Sequence, residues 1–116
     1  MADCLFCKIA GKEIDADIVL EKDSLVAFRD VNPQAPTHIL VIPREHVGSA
    51  RELNGSHGDV LGEIFETMAE LAEAEGLDNG YRVAVNTGPD AGQSVDHLHF
   101  HLLGGRTMGW PPWPLA

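Results

Sequence analysis

Apolar residues recur at helical spacing over residues 58–75, which is the clearest element that the chain predicts. One face of this helix is apolar, while glutamates occupy the other face and are expected in solvent. Ser56 and Asp59 predict a capping pair at its start, and Gly76 is expected to end it. The apolar stripe consists of Val60, Leu61, Ile64, Phe65, Met68, Leu71 and Ala72.

Four shorter segments have the patterns of strands. Residues 18–21 and 25–28 predict a hairpin whose turn lies at residues 22–24. Residues 39–42 form a continuous apolar run, which is typical of a buried strand. Residues 81–86 alternate in character, as a half-buried strand does.

Two short helices and one loop complete the predicted order of elements. A short helical turn is expected at residues 4–9 and a further helix at residues 45–53, while residues 87–94 form a glycine-rich loop. The whole order predicts an α+β protein built on an antiparallel sheet, with one long helix and a short one.

Three of the six histidines stand at alternate positions of one segment, as His97, His99 and His101. Because strand side chains alternate between faces, the three imidazoles are expected on one face of a fifth strand. Neighbours two apart on a strand are roughly 6.6 Å apart, so all three could bind one metal ion only if the strand bent sharply. The row fits an extended anion such as a phosphate better. The opposite face consists of Leu98, Phe100 and Leu102.

Composition narrows the class of protein. The 116 residues are enough for one domain with a real core, so residues 1–116 are taken as a single domain with a tryptophan- and proline-rich tail at 106–116. A net charge of −10 argues against nonspecific binding to nucleic acid or to an anionic membrane. The start of the chain lacks the pattern of a signal peptide, and no apolar run is long enough to span a bilayer, so a cytoplasmic protein is expected.

Cys4 and Cys7 have the spacing of a metal knuckle. In the cytoplasm two cysteines are more often thiols or metal ligands than a disulfide. A metal site, a redox pair and two plain thiols therefore all remain open from this pair alone.

Several motifs, in order along nearly the whole chain, resemble the histidine-triad superfamily. The main one is the His-x-His-x-His row followed by apolar residues, and the Trp-Pro-Pro ending is similar to the Hint branch rather than the Fhit branch. The resemblance implies the histidine-triad fold, with a sheet continued across a homodimer. The matching segments are residues 30–38, 41–46, 92–95, 97–103, 104–106 and 110–112.

The resemblance also implies a reaction at the α-phosphate of a nucleotide. His99 would be the nucleophile and form a nucleotidyl-histidine intermediate without a catalytic metal. His101 would bind phosphate oxygens, and Ser94 would donate to the phosphate or assist the leaving group. His38 would support phosphate binding beside the triad that His97 completes. The implied activity is hydrolysis of purine nucleoside phosphoramidates, which releases AMP or GMP and an amine.

The same resemblance implies the nucleotide contacts. Asp30 would accept hydrogen bonds from both ribose hydroxyls, because a carboxylate is an acceptor with two oxygens. Asn86 would contact ribose or phosphate, and Gly92, Gln93 and Ser94 would form the phosphate loop. The base would lie between apolar walls that consist of Leu5, Phe6, Ile9, Phe28, Val31 and Leu40.

A structural zinc ion is the last implication of the resemblance. Its ligands would be Cys4, Cys7, His46 and His97, which make a closed tetrahedral set. Two other functions stay open: another reaction of the superfamily, such as dinucleoside polyphosphate hydrolysis or nucleotidyl transfer, and a nucleotide-binding scaffold whose catalytic activity is incidental.

Overall fold

The computed structural model describes residues 4–112. Within them lie two α-helices and five strands, and three short 3₁₀ turns connect some of these elements. In chain order the elements are α1 (Leu5–Ala10), β1 (Ile18–Glu21), β2 (Leu25–Arg29), β3 (Thr37–Pro43), α2 (Gly58–Ala74), β4 (Tyr81–Val85) and β5 (Phe100–Gly104), with 3₁₀ turns at Ala50–Glu52, Gly55–His57 and Pro89–Ala91.

The five strands form one antiparallel sheet in the order β1-β2-β3-β5-β4. This confirms the predicted α+β class with one long helix and one short one. The central strand β3 is buried along its whole length, since it has a neighbour on each side and a packed layer on each face. Its register places Leu40 opposite His101 and His38 opposite Leu103.

The two faces of the sheet have separate apolar cores. The core on one face packs against α2, through Ile64, Met68 and Leu71. The core on the other face packs against α1, through Phe6 and Ile9. Helix α1 therefore covers the face opposite the long helix, and it brings Cys4 and Cys7 beside the segment that holds the histidine row.

Two predictions around the approach to α2 are wrong. Residues 45–53 contain only the 3₁₀ turn Ala50–Glu52, because Val47 is buried and its carbonyl accepts a hydrogen bond from the Leu98 amide at 2.6 Å. Ser56 does not cap α2. Asn54 instead caps the 3₁₀ turn Gly55–His57, which runs directly into the helix.

The long helix otherwise follows its sequence pattern. It ends at Ala74, and Gly76 adopts a positive φ of 72°, which favours glycine. Phe65 departs from the predicted buried stripe, since 51% of its surface is exposed and it packs edge-on against Phe100. Neither helix within residues 4–112 has the length and apolar content that a bilayer crossing requires.

The predicted histidine strand begins later than expected. Only Phe100–Gly104 pairs with its neighbours, so His97 and His99 lie in the irregular segment before β5. Side chains still alternate, because Leu98, Phe100 and Leu102 belong to the core beneath α2. The tail has no helix or strand over residues 105–112, as its prolines predicted, and Trp113 and Pro114 lie outside the described residues.

Candidate active site and metal centre

The hydrogen bonds of His99 define its tautomer. Its Nδ1 lies 2.7 Å from the carbonyl oxygen of His97. Because a carbonyl only accepts, Nδ1 carries the proton, and Nε2 of the neutral ring keeps its lone pair. The His99 ring is buried, and the edge-to-face contact with Phe6, at 5.0 Å between ring centroids, holds its plane. His99 therefore has one nitrogen fixed and the other free to act as a nucleophile.

A chain of hydrogen bonds gives His101 the opposite tautomer. The Gln34 amide donates to Nδ1 of His38 at 3.1 Å, so the proton of a neutral His38 lies on Nε2. That Nε2 donates to Nδ1 of His101 at 2.9 Å and lies 3.4 Å from the Asp30 carboxylate. The neutral His101 ring consequently carries its proton on Nε2, a buried atom without a partner among the described residues.

Burial keeps His101 uncharged. Desolvation, together with the nearby His99 and His38 rings, lowers the pKa of His101 to about 4, against the smaller opposing effect of Asp30. Burial also lowers the pKa of His38, although Asp30 partly opposes this. At neutral pH His38 and His101 are therefore uncharged, and Nε2–H of His101 is a hydrogen-bond donor that the described residues leave without a partner.

His97 turns toward the two cysteines and not toward His99 and His101. Its Nε2 donates to the carbonyl oxygen of Pro43 at 2.8 Å, so its Nδ1 keeps a lone pair. That Nδ1 lies 3.3 Å from the sulfur of Cys4 and 3.5 Å from the sulfur of Cys7. Nδ1 of His46 lies 3.3 Å from the Cys7 sulfur, and the four donor atoms lie within 4.8 Å of one another.

These residues fit a tetrahedral zinc ion. Zinc bonds to sulfur and nitrogen at the usual lengths place those atoms roughly 3.6 Å apart, close to the separations found here. The Pro43 carbonyl bound to the far nitrogen of His97 is the outer contact that orients a metal-ligating histidine. Burial raises the pKa of the Cys7 thiol, an effect that a bound cation would reverse.

A second cluster with ligand spacing, Asp30, His38 and His101, is less suited to a metal ion. A metal at Nε2 of His38 would need the lone pair there, which requires the proton to move to Nδ1. The Gln34 amide already donates to Nδ1. The hydrogen bonds therefore favour a proton in this cluster and a metal in the cysteine cluster.

The loop before the histidine segment leads to the same site. Ser94 is exposed and makes no hydrogen bond within residues 4–112, which leaves its hydroxyl and amide free. Gly92 has a φ of 83°, as glycine tolerates. Asn86 directly follows β4. The side chain of Gln93, by contrast, binds only protein groups.

The residues predicted to hold a base divide into two groups. Phe6, Ile9, Phe28 and Leu40 are buried and belong to the core on the α1 face. Val31 is 99% exposed and Leu5 is 44% exposed, so these two are the apolar side chains of the set that a ligand could still cover.

Sequence reasoning missed the backbone partners of the site. The carbonyls of His97 and Pro43 and the amide of Gln34 determine which nitrogen of each ring carries the proton. A pattern of side chains does not predict such contacts, because every residue type supplies a backbone carbonyl and almost every type a backbone amide. The resemblance implied a place for His38 beside the triad, and the pairing of β3 with β5 brings its Nε2 to 2.9 Å from Nδ1 of His101.

The fold and these side chains define the class: an α+β protein with a histidine row of the His-x-His-x-His type beside a cysteine-histidine cluster. The family model for the HIT domain matches residues 11–108. The chain belongs to the HIT family.

Relatives and solved structures agree with this family. The chain is 46% identical to a 14 kDa zinc-binding protein of Brassica juncea, over 95% of this chain and 99% of that protein. It is also 46% identical to the adenylylsulfatase HINT1 of Arabidopsis thaliana, over 93% of this chain and 75% of that protein. A crystal structure of a HIT family hydrolase from Legionella pneumophila Philadelphia 1 superposes with a TM-score of 0.93 at 49% identity, and covers 95% of this chain and 99% of that one.

Proposed function

We propose that this chain is a Hint-branch nucleotide hydrolase that cleaves the P–N bond of purine nucleoside 5′-phosphoramidates through a nucleotidyl intermediate on His99. One observation carries the proposal: the Nδ1–H bond to the His97 carbonyl leaves Nε2 of His99 as a lone pair. The name of the Legionella neighbour, a HIT family hydrolase, supports hydrolysis in general.

In the first step Nε2 of His99 attacks the α-phosphorus. The new P–N bond to His99 forms as the P–N bond to the substrate amine breaks, and the amine leaves with a proton from the Ser94 hydroxyl, which takes one from solvent in turn. Ser94 supplies a free hydroxyl near this leaving group. The Nε2–H of His101 has no partner among the described residues and donates to a phosphate oxygen, which stabilises the charge that develops there.

In the second step water attacks the same phosphorus. The bond to His99 breaks, the nucleoside monophosphate is released, and His99 recovers the tautomer that the His97 carbonyl maintains. Asp30 binds the ribose. Its Oδ1 accepts the Asn32 amide at 2.8 Å, and the carboxylate keeps further acceptor sites for the two hydroxyls.

The zinc ion belongs to this proposal as a structural group. Cys4, Cys7, His46 and His97 would hold it, and the ion would supply a cross-link between α1, the segment after β3 and the histidine segment. The zinc-binding relative in Brassica juncea supports the assignment by its name. Thiolate ligands must stay reduced, which fits a cytoplasmic location.

A homodimer completes the proposal. Among the described strands, β4 is an edge that pairs only with β5, and it exposes Tyr81 and Val85. An exposed, partly apolar edge favours pairing with a second strand, so we expect β4 of two subunits to join their sheets.

Adenylyl sulfate hydrolysis is the second candidate, because the Arabidopsis relative is named an adenylylsulfatase. The same His99 attack would release sulfate, which leaves without a proton, whereas an amine needs one. The nucleotide-binding scaffold of the sequence analysis predicts binding of AMP without turnover of either substrate.

The test compares wild type with His99→Ala on a fluorogenic adenosine phosphoramidate and on adenylyl sulfate, with AMP binding measured by calorimetry. We expect turnover of the phosphoramidate by wild type, background turnover by the variant, and AMP binding by both. A higher kcat/KM for adenylyl sulfate would transfer the proposal to that substrate. Binding of AMP without turnover of either compound would refute the hydrolase.

A further inference from the structure

We infer that Gln93 is a positioning residue, which clamps the phosphate loop to the segment that bears His46 and does not itself contact the nucleotide. Where the inference concerns turnover, it rests on the proposed hydrolase function. The resemblance placed Gln93 among the nucleotide contacts, whereas the structure gives each of its amide groups a protein partner.

The side-chain amide of Gln93 makes three hydrogen bonds, which use both of its N–H donors and one acceptor site of its oxygen. Oε1 accepts from the Gly88 amide at 2.9 Å, while Nε2 donates to the Gly48 carbonyl at 2.8 Å and to the Val95 carbonyl at 3.0 Å. The reverse orientation of the amide would place its oxygen against two carbonyl oxygens, so the assignment of the two atoms is unambiguous.

The same residue closes the loop on itself. Its backbone amide donates to the Gly88 carbonyl at 3.1 Å, while the Gly88 amide donates to its side chain. Residues 88–93 therefore form a ring around the 3₁₀ turn Pro89–Ala91, with glycines of positive φ at positions 88 and 92. Ser94 leaves this ring with both its amide and its hydroxyl unbound within residues 4–112.

The bond to Gly48 joins this ring to a different part of the chain. Gly48 lies two residues after His46, and the Val47 carbonyl between them accepts the Leu98 amide at 2.6 Å. The segment after β3 thus holds the loop through Gln93 and the histidine row through Leu98. Because the phosphate loop and the histidine row are both bonded to this one segment, the position of Ser94 is fixed relative to His99.

Loss of this clamp should affect the transition state more than binding. The loop must hold Ser94 to within a fraction of an ångström of its productive position beside the leaving group, and a misplacement of about 1 Å can lower a rate by about a hundredfold. Asp30, which would bind the ribose, lies on another segment, so its contribution to the affinity for AMP should not change. A direct nucleotide contact by Gln93 would instead change KM and the affinity for AMP.

The experiment uses Gln93→Met, which keeps the length of the side chain and removes its three hydrogen bonds, and Gln93→Glu, which sets a carboxylate oxygen against two carbonyls. We expect kcat on the adenosine phosphoramidate to fall ten- to a hundredfold in both, roughly as a 1 Å displacement would produce. KM and the Kd of AMP should stay within about threefold. Asn54→Asp is the charge control, because aspartate caps the turn at 55–57 as well as asparagine does.

A second readout is independent of turnover. Hydrogen exchange of the Gly88 amide, followed by NMR, should be slow in wild type and fast in Gln93→Met, because its acceptor is gone. If wild type does not cleave phosphoramidates, the proposed function fails alone, and this exchange then decides the clamp. Unchanged exchange, an unchanged kcat in a folded variant, or a raised KM with a normal kcat would each overturn the inference.

Discussion

The buried, neutral His101 should make the protein sensitive to acid, in addition to His38 and His97, whose pKa values burial also lowers. Its pKa is about 4 when folded against 6.5 as the reference value, so the unfolded chain binds a proton more tightly than the native one. The contribution of His101 to the free energy of unfolding is therefore fully present above pH 6.5. It is lost as the pH falls toward 4 and changes no further below that pH. At about pH 5 the loss from His101 alone amounts to about 2 kcal/mol, at about 1.4 kcal/mol per pH unit.

Urea unfolding of wild type and His101→Gln at about pH 8 and about pH 5 measures this effect. Acid also protonates His38 and His97 and weakens the cysteine cluster in both proteins, so the difference between the two pH responses measures the contribution of His101. We expect wild type to lose about 2 kcal/mol more than the variant over this interval. An equal loss in the two proteins would show that His101 is not held neutral by its surroundings.

Two further predictions follow from the metal centre and the sheet edge. Cys7→Ser should abolish zinc binding, measured as metal per chain by atomic emission, because Cys4 is then the only thiolate left in the cluster. The variant should also have a lower melting temperature. Full zinc occupancy in the variant would contradict the assigned ligand set. Val85→Lys should convert the proposed dimer to a monomer in sedimentation experiments, because a charged side chain on an exposed edge opposes strand pairing. The control variant Asn54→Asp should remain a dimer. A dimeric Val85→Lys variant would place the interface elsewhere.

The elements that follow from side-chain periodicity were predictable. Helix α2 and the strands near residues 18, 25, 39 and 81 follow their patterns closely, because burial of one face decides them. The same reasoning wrongly predicted a helix at residues 45–53. Their conformation depends on a long-range hydrogen bond from Leu98 to Val47, which local propensity does not contain, and the Ser49 cap begins only a short turn.

The candidate site divides in the same way. Which residue types come together could be predicted from motif order, and the cysteine cluster is assembled as the resemblance implied. Which nitrogen of each ring carries a proton could not, because backbone groups of Gln34, Pro43 and His97 decide it. The hydrogen bonds of the Gln93 amide belong to the same category, since its partners lie in two segments that only the fold brings together.

His97 supports the two centres with chemically distinct parts. Its side chain faces the cysteine cluster, whereas only its main-chain oxygen holds His99. Any amino acid at position 97 retains that oxygen. Substitutions of the cysteines and of this imidazole would therefore remove the proposed zinc ligands and still leave the main-chain oxygen that sets the tautomer of His99. The cysteine cluster and the site around His99 are adjacent in space, yet substitutions can remove the first without the second.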